Sequence, residues 1–290
     1  MILVAGGSGT LGQRVVRLLR DAGETVCVLT RNPNRCRALP ADVVIVTGDV
    51  TVPSDVANAM RDCKAVVSAI QGFAGPGSPT PERIDRDGNR VLIEVARTVG
   101  VTNFVLLSVV DARADHPMSL HRSKFAAEEE LRRSGIPFTI VRATAFMETW
   151  VDVIGAPLAD KGFALVFGPG NNPINFVSAR DVASLVVACV RNRLPAGVTL
   201  EIGGPENLSF TAVAERIACR EGKESRIRHV PLPMLRALSV LARPFSPTFA
   251  RKASAAVVMN TTNQSFATVR SDFLSNLPRT TLDDVLREAR

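Results

Sequence analysis

The chain has 290 residues with 35 basic and 28 acidic side chains, a formal net charge of +7, one tryptophan and no tyrosine. The basic residues are spread over predicted helices and few aromatic rings are available to stack on bases, so the composition argues against nucleic-acid binding as the main function. The five cysteines are scattered without a CxxC pair and the three histidines are dispersed, which argues against a disulfide framework and a metal cluster.

The first predicted strand, over 2–5, leads into a glycine cluster and then directly into an amphipathic helix over 10–22. The glycines fit both a GxxGxxG and a GxGxxG spacing. Glycines allow a tight turn and a close approach of the backbone to a pyrophosphate, and the helix N-terminus offers free N–H groups. A glycine-rich turn that binds nothing is the alternative. The residues predicted to hold the pyrophosphate are Gly6, Gly9, Thr10, Leu11 and Gly12.

A second strand is predicted over 25–30, and the residue that follows it indicates which nucleotide binds. An NAD site would place Asp or Glu there to hold the ribose 2′-hydroxyl. This chain has Arg31, with Arg35 and Arg37 close behind, and a guanidinium can pair with a 2′-phosphate. We therefore predict NADP(H) as the cofactor. The alternative is that Arg31 begins an ordinary solvated loop.

Further strands and helices alternate as in a doubly wound parallel sheet. The strands are predicted over 43–47, 64–69, 103–108, 136–142 and 198–202, and the helices over 54–61, 82–99, 119–134, 181–192 and 209–220. Ligands of such sheets bind at the carboxyl ends of the strands. Asp49 and Val50, after the third strand, are therefore expected at the adenine, and Ala69, Ile70 and Gln71, after the fourth, beside the cofactor.

The character of the chain changes at Thr144, because proline, glycine, phenylalanine and methionine then occur among short apolar helices. We predict an α/β fold with a Rossmann core of 1–143, completed by 177–203, and a small, mostly helical substrate lobe of 144–176 and 204–290. Phe146, Met147 and Trp150 are predicted to form an apolar substrate wall, with 232–241 lining the same site. Core packing is the alternative for the three side chains. For 232–241 the alternative is a helix that packs on the lobe or touches a membrane surface.

Several segments together resemble the atypical short-chain dehydrogenases/reductases of the NmrA-like type, relatives of the isoflavone reductases. They are the glycine loop and residues 104–108, 124–142, 176–183 and 278–286. The resemblance covers nearly the whole chain and implies a nucleotide-binding Rossmann fold. The family contains reductases, non-catalytic redox sensors and accessory subunits, so membership alone leaves the activity open.

The same resemblance locates the expected chemistry. Ser108 and Lys124 stand where ordinary members have a catalytic serine and lysine, but Leu120 occupies the tyrosine position. Similarity to the isoflavone reductases implies that Lys124 anchors the nicotinamide ribose or relays a proton. Its alternative is a solvated i,i+4 ion pair with Glu128. His121, one turn earlier on the same helix face, is either the proton donor that replaces tyrosine or a packing residue.

We therefore expect an NADPH-dependent reductase of a small apolar or aromatic carbonyl, enone or quinone-like compound. The alternatives are an NADP(H)-sensing regulator without turnover and a non-redox cyclase or isomerase on the same fold. No apolar run is long enough to span a bilayer and no signal-peptide pattern precedes the first strand. A cytoplasmic monomer or homodimer that is not inserted stably in a membrane is expected.

Overall fold

The computed structural model describes residues 1–73, 80–191, 196–220, 226–267 and 279–288. The described residues divide into two compact units, of which the first comprises 1–73, 80–143, 179–191 and 196–201 and the second 144–178, 202–220, 226–267 and 279–288. The predicted boundaries near 143, 177 and 203 lie within two residues of these, and the assignment of the second unit as a substrate lobe stays a prediction. Residues 192 and 278, at the ends of a predicted helix and of one segment of the family resemblance, lie outside the described residues.

The first unit is built on a seven-stranded sheet. Its strands are β1 (Ile2–Ala5), β2 (Val26–Thr30), β3 (Val44–Thr47), β4 (Ala65–Ser68), β5 (Asn103–Val109), β6 (Phe138–Ala143) and β10 (Val198–Ile202). They lie in the order β10-β6-β5-β4-β1-β2-β3, and the neighbours from β6 to β3 pair in parallel. The order reverses between β1 and β4, which makes the carboxyl ends of these two strands the switch point where such sheets bind ligands.

Helices connect these strands. They are α1 (Thr10–Asp21), a 3₁₀ turn (Pro33–Cys36), α2 (Pro53–Met60), a π-helix (Glu82–Gly88), α3 (Asn89–Val99), α4 (Ser119–Arg133) and α6 (Ala179–Val190). Strands β1, β2 and β4 are buried along their whole length, as expected of apolar parallel strands covered on both faces. Helix α1 buries one apolar stripe that includes Leu11, Val15 and Leu19. The predicted doubly wound fold is confirmed.

The second unit combines helices with two small sheets. Its strands are β7 (Ala145–Phe146), β8 (Ala164–Phe167), β9 (Ile174–Val177), β11 (Asn207–Leu208) and β12 (Ile227–Val230), and its helices are α5 (Met147–Lys161), α7 (Phe210–Arg220), α8 (Leu232–Leu241), α9 (Pro247–Thr261) and α10 (Leu282–Glu288). One sheet has the order β11-β9-β7, and β12 pairs with β8 in the other. These short strands were not predicted. In the part of the chain that the structure describes, no helix is long and apolar enough to cross a membrane.

Candidate cofactor and active site

The glycine loop after β1 packs directly on backbone. Gly6 has a φ of +86°, which favours glycine, and a Cβ added to it would lie 2.5 Å from the Ala69 carbonyl oxygen after β4. A Cβ on Gly12 would lie 2.1 Å from the Gly6 oxygen. Gly9 precedes α1 and offers no side chain to cap it, so the N–H groups of the first turn, at Thr10 and Leu11, remain for a ligand. This arrangement fits a pyrophosphate.

Replacement of Gly12 by alanine is therefore expected to cost about 3 kcal/mol of folding free energy and to weaken cofactor binding, because backbone has to move. The matched control is Gly9→Ala, whose Cβ would lie 3.4 Å from the Gly6 oxygen and whose φ of −87° suits alanine. Denaturant unfolding of both variants measures the difference. Equal stability of the two variants would refute the packing argument.

Arg31 follows β2 and is exposed. The Thr30 hydroxyl lies 3.4 Å from the Ser8 hydroxyl, which brings the glycine loop next to the end of β2. The Asp49 carboxylate accepts hydrogen bonds from the Thr51 N–H and hydroxyl, both at 2.9 Å. Burial alone would raise the pKa of Asp49, but these hydrogen bonds and the positive charges of Arg31 and Arg83 bring it below its ordinary value. Asp49 is therefore a fixed, charged acceptor at the end of β3, and Val50 beside it packs against the core.

A buried ion pair binds the backbone of the segment that follows β4. Ala69 is half-buried, Ile70 is buried and Gln71 is exposed. Lys124 Nζ donates a hydrogen bond of 2.9 Å to the Ile70 carbonyl and lies 2.9 Å from Asp85 Oδ1. The other oxygen, Asp85 Oδ2, accepts the Gly72 N–H at 2.8 Å. The structure therefore places Lys124 beside the end of β4, at the switch point of the sheet.

The alternative for Lys124, a solvated pair with Glu128, is wrong. The Lys124 side chain is 3% exposed and its carboxylate partner is Asp85, which is fully buried. Glu128 is also fully buried and pairs with Arg142, at 2.7 Å, and with Arg132. The i,i+4 spacing is correct, but the two side chains point into different polar clusters.

Asp85 is the site residue that the sequence analysis missed. It lies on the π-helix, a form that often marks a functional site. Asn89 Nδ2 donates to the Asp85 carbonyl at 2.6 Å, and Asn89 Oδ1 accepts the Ser68 hydroxyl at 2.5 Å. The signal was present in the sequence, because Asp85, Asn89, Leu92 and Ala96 are spaced by four, three and four residues, as on one buried helix face.

Ser108, the predicted catalytic serine, belongs to a different cluster. It is buried near the end of β5, and its hydroxyl donates to Glu128 Oε1 at 2.5 Å. Arg142, on β6, binds both oxygens of the same carboxylate, at 2.9 and 2.7 Å. The Ser108 hydroxyl thus donates its hydrogen bond to Glu128 and not to a substrate. This geometry favours a structural role of Ser108 over the predicted catalytic one.

His121 stacks on His116, with the ring centroids 3.8 Å apart. Among the described residues, His121 Nδ1 is buried without a hydrogen-bond partner. Burial, followed by the neighbouring His116, lowers the pKa of His121 to about 4. The imidazole is therefore neutral near pH 7, which makes it a weak proton donor. The catalytic assignment of His121 stays a prediction.

The same shift predicts a pH dependence of stability. The folded protein takes up the His121 proton only near pH 4, whereas the unfolded chain takes it up near 6.5. The unfolded state thus binds more protons between these values, and stability should fall by up to about 3 kcal/mol as the pH drops from 6.5 to 4. His116, whose pKa is also lowered, first of all by burial, acts in the same direction. Unfolding of wild type and His121→Phe across this range measures the effect, and identical profiles would contradict it.

The predicted substrate wall belongs to the second unit, where Met147 and Trp150 pack in the core. Met147 is 1% exposed, Phe146 is half-buried, and the Trp150 ring is tilted 4.7 Å from that of Phe210. Helix α8, the other predicted segment, packs on α9 through a small apolar cluster that includes Leu235. The role of both segments in substrate binding stays a prediction.

A family described as NAD(P)H-binding matches this chain over residues 6–193. The chain belongs to that family. The match spans the glycine loop, the switch point and Lys124, and it confirms binding of NAD(P)H. Together with the reductase relatives described below, it confirms the oxidoreductase class. The family resemblance is confirmed as membership of an NAD(P)H-binding family with a Rossmann-type fold.

Individual relatives differ in what they do. The chain is 28% identical over 249 residues to the photosystem II assembly factor Ycf39 of Synechocystis, with 86% of this chain and 76% of that protein covered. It is 29% identical over 228 residues to an NAD(P)H azoreductase of Xenophilus azovorans, covering 78% and 76%. The structure resembles that of the NADPH-dependent quinone oxidoreductase QOR2 of Escherichia coli in complex with NADPH, with a TM-score of 0.80, 20% identity and 99% of both chains covered. At this identity the likeness shows the fold.

Proposed function

We propose that the protein is an NADPH-dependent reductase of a small apolar or aromatic carbonyl, enone or quinone-like compound. The observation that carries this proposal is the buried lysine at the switch point, since Lys124 is held between the Ile70 carbonyl and Asp85. Burial of the Lys124 and Asp85 charges costs desolvation free energy, whereas an ion pair on a solvated surface would not carry this cost. The buried pair therefore favours a functional role for this lysine. The azoreductase relative and the quinone reductase fold support reduction of an unsaturated apolar compound. The expected setting is the cytoplasm.

In the proposed reaction, bound NADPH supplies the hydride. The Lys124 ammonium has three N–H donors, of which one binds Ile70 and one faces Asp85. The remaining donor can hold a ribose hydroxyl or hand a proton to a substrate oxygen. Asp85 fixes the position of the ammonium group, and it also fixes the end of β4 through the Gly72 N–H. The glycine loop and Arg31 hold the phosphates.

The test is anaerobic mixing of the NADPH-loaded protein with a panel of quinones, enones, aldehydes and azo dyes, followed by the nicotinamide absorbance. Saturable NADPH oxidation that is lost in Lys124→Ala supports the reductase. Tight NADPH binding without oxidation by any compound would contradict it.

Cofactor selectivity gives a separate prediction. NADP(H) should bind at least about tenfold more tightly than NAD(H), or about 1.4 kcal/mol, because Arg31 stands in place of a carboxylate. Arg31→Ala should remove most of this preference and leave NAD(H) affinity nearly unchanged. Arg61→Ala, at an exposed arginine after α2, is the control. Titration of wild type and both variants with NADP(H) and NAD(H) measures the preference. Equal affinities of the wild type for the two cofactors would refute the assignment of NADP(H).

A nucleotide-sensing regulator or assembly factor is the second candidate. Two observations favour it: the chain contains no tyrosine, and it is similar to the Ycf39 assembly factors. In this case NADP(H) would bind without turnover, and a protein partner would be retained with only one of the two redox states of the cofactor. Partner retention compared with NADPH and with NADP⁺ distinguishes the two functions.

A further inference from the structure

The second unit ends in a helical hairpin with an exposed apolar tip. The hairpin consists of α8, the turn 242–246 and α9, and we call it the basic hairpin. Phe245 in the turn is 90% exposed and Leu241 at the end of α8 is 68% exposed. The other large apolar side chains exposed on the hairpin are Met234, Val240 and Phe249. Such a concentration of exposed apolar groups marks an interaction surface.

These side chains are not part of the packing that folds the hairpin. Its inner face is formed by Leu235 on α8 and by Ala253 and Ala256 on α9, with Leu232 and Leu238 packed against them. The turn residues 243–247 are all exposed, so the tip projects from the unit. Pro244 and Pro247 fix backbone φ on both sides of Phe245, which lowers the entropy lost when the ring is buried by a partner.

The charge of the hairpin is of one sign. Residues 226–267 contain six arginines and lysines and no aspartate or glutamate. Arg236, Arg243 and Lys252 are exposed on the hairpin itself. A purely cationic segment with a projecting apolar tip is complementary to a surface that is negative outside and apolar just below.

We infer that the basic hairpin docks the protein on an anionic lipid bilayer, with Leu241 and Phe245 inserted into the headgroup region and the arginines over lipid phosphates. A second copy of the chain fits less well, since a two-fold contact would place two segments of the same positive charge against each other. A partner protein also fits less well, because its groove would have to supply many carboxylates to pair with the arginines and lysines of the hairpin. This docking does not depend on the proposed reductase reaction.

The test is co-sedimentation of the full chain with vesicles of phosphatidylcholine alone and of equimolar phosphatidylcholine and phosphatidylglycerol. Binding should require phosphatidylglycerol and weaken at high salt. Leu241→Ser/Phe245→Ser should reduce the partition coefficient at least about tenfold, and Arg236→Gln/Arg243→Gln at least about fivefold. Both pairs are exposed, so the fold should survive. The matched controls are Val99→Ser and Arg61→Gln, exposed residues of the first unit, and they should bind as wild type does.

Three results would overturn the inference. The first is no sedimentation with anionic vesicles, and the second is equal binding of wild type and Leu241→Ser/Phe245→Ser. The third is dimerisation in light scattering that the same double substitution abolishes, without vesicle binding, because it would assign the tip to a second copy.

Discussion

Lys124→Ala is expected to reduce turnover by about a hundredfold or more, the usual scale for loss of a positioned acid or base. Cofactor affinity should fall much less, because the glycine loop and Arg31 hold the phosphates. Steady-state kinetics with the best substrate, together with direct NADPH titration, separates the two effects. Near-normal turnover in this variant would eliminate the proposed mechanism.

The substitution also affects folding, and this effect has to be measured separately. Loss of the ammonium leaves Asp85 buried without its cation, a change that typically costs about 3–5 kcal/mol. Burial already raises the pKa of Asp85 against the opposing charge of Lys124, so the carboxyl should take up a proton when that charge is removed. The double variant Lys124→Met/Asp85→Asn avoids the orphaned charge. It should recover much of the stability and none of the turnover.

Two further variants identify the group that moves the proton. Lys124→Arg keeps the charge but should stay inactive, because a guanidinium does not release its proton near neutral pH. His121→Ala should retain most of the turnover if its neutral imidazole only packs on His116. A loss in His121→Ala as large as that in Lys124→Ala would make the histidine the donor and leave the lysine as an anchor.

The first unit could be predicted well because its signals are local. Apolar strands such as β1 and β4, glycines at a tight turn and amphipathic helices such as α1 each leave a pattern within a few residues. Their alternation implies a parallel sheet, and the sheet order then places the glycine loop and the end of β4 together.

The partners of the buried charges could not be predicted in this way. Lys124 meets Asp85 across 39 positions of sequence, and periodicity can mark Asp85 as a buried position without indicating which charge it meets. Glu128 meets Arg142 only because β6 lies beside β5. Strands of only two residues, such as β7 and β11, are too short to show alternation, so the three-stranded sheet of the second unit was also missed.

Glu128→Ala tests the second buried cluster, and it should lower stability by about 3–5 kcal/mol. The carboxylate is fully buried and accepts from Ser108 and Arg142, so its removal leaves the Arg142 guanidinium, itself 18% exposed, without its main partner. A guanidinium keeps its proton near neutral pH, so Arg142 cannot escape the penalty by becoming neutral. Denaturant unfolding measures the loss.

Glu129 provides the matched control on the same helix. It pairs with Arg132 and Arg133 but is 31% exposed, so Glu129→Ala should cost less than about 1 kcal/mol. Ser108→Ala should cost about 1 to 3 kcal/mol, since it leaves the buried Glu128 carboxylate without one donor. If the cluster is structural, the folded fraction of Ser108→Ala turns over substrate at nearly the wild-type rate, in contrast to Lys124→Ala. A loss of turnover in Ser108→Ala at unchanged stability would instead restore the serine to the catalytic role that the family resemblance implies. In that case the Glu128 hydrogen bond would have to break when substrate binds.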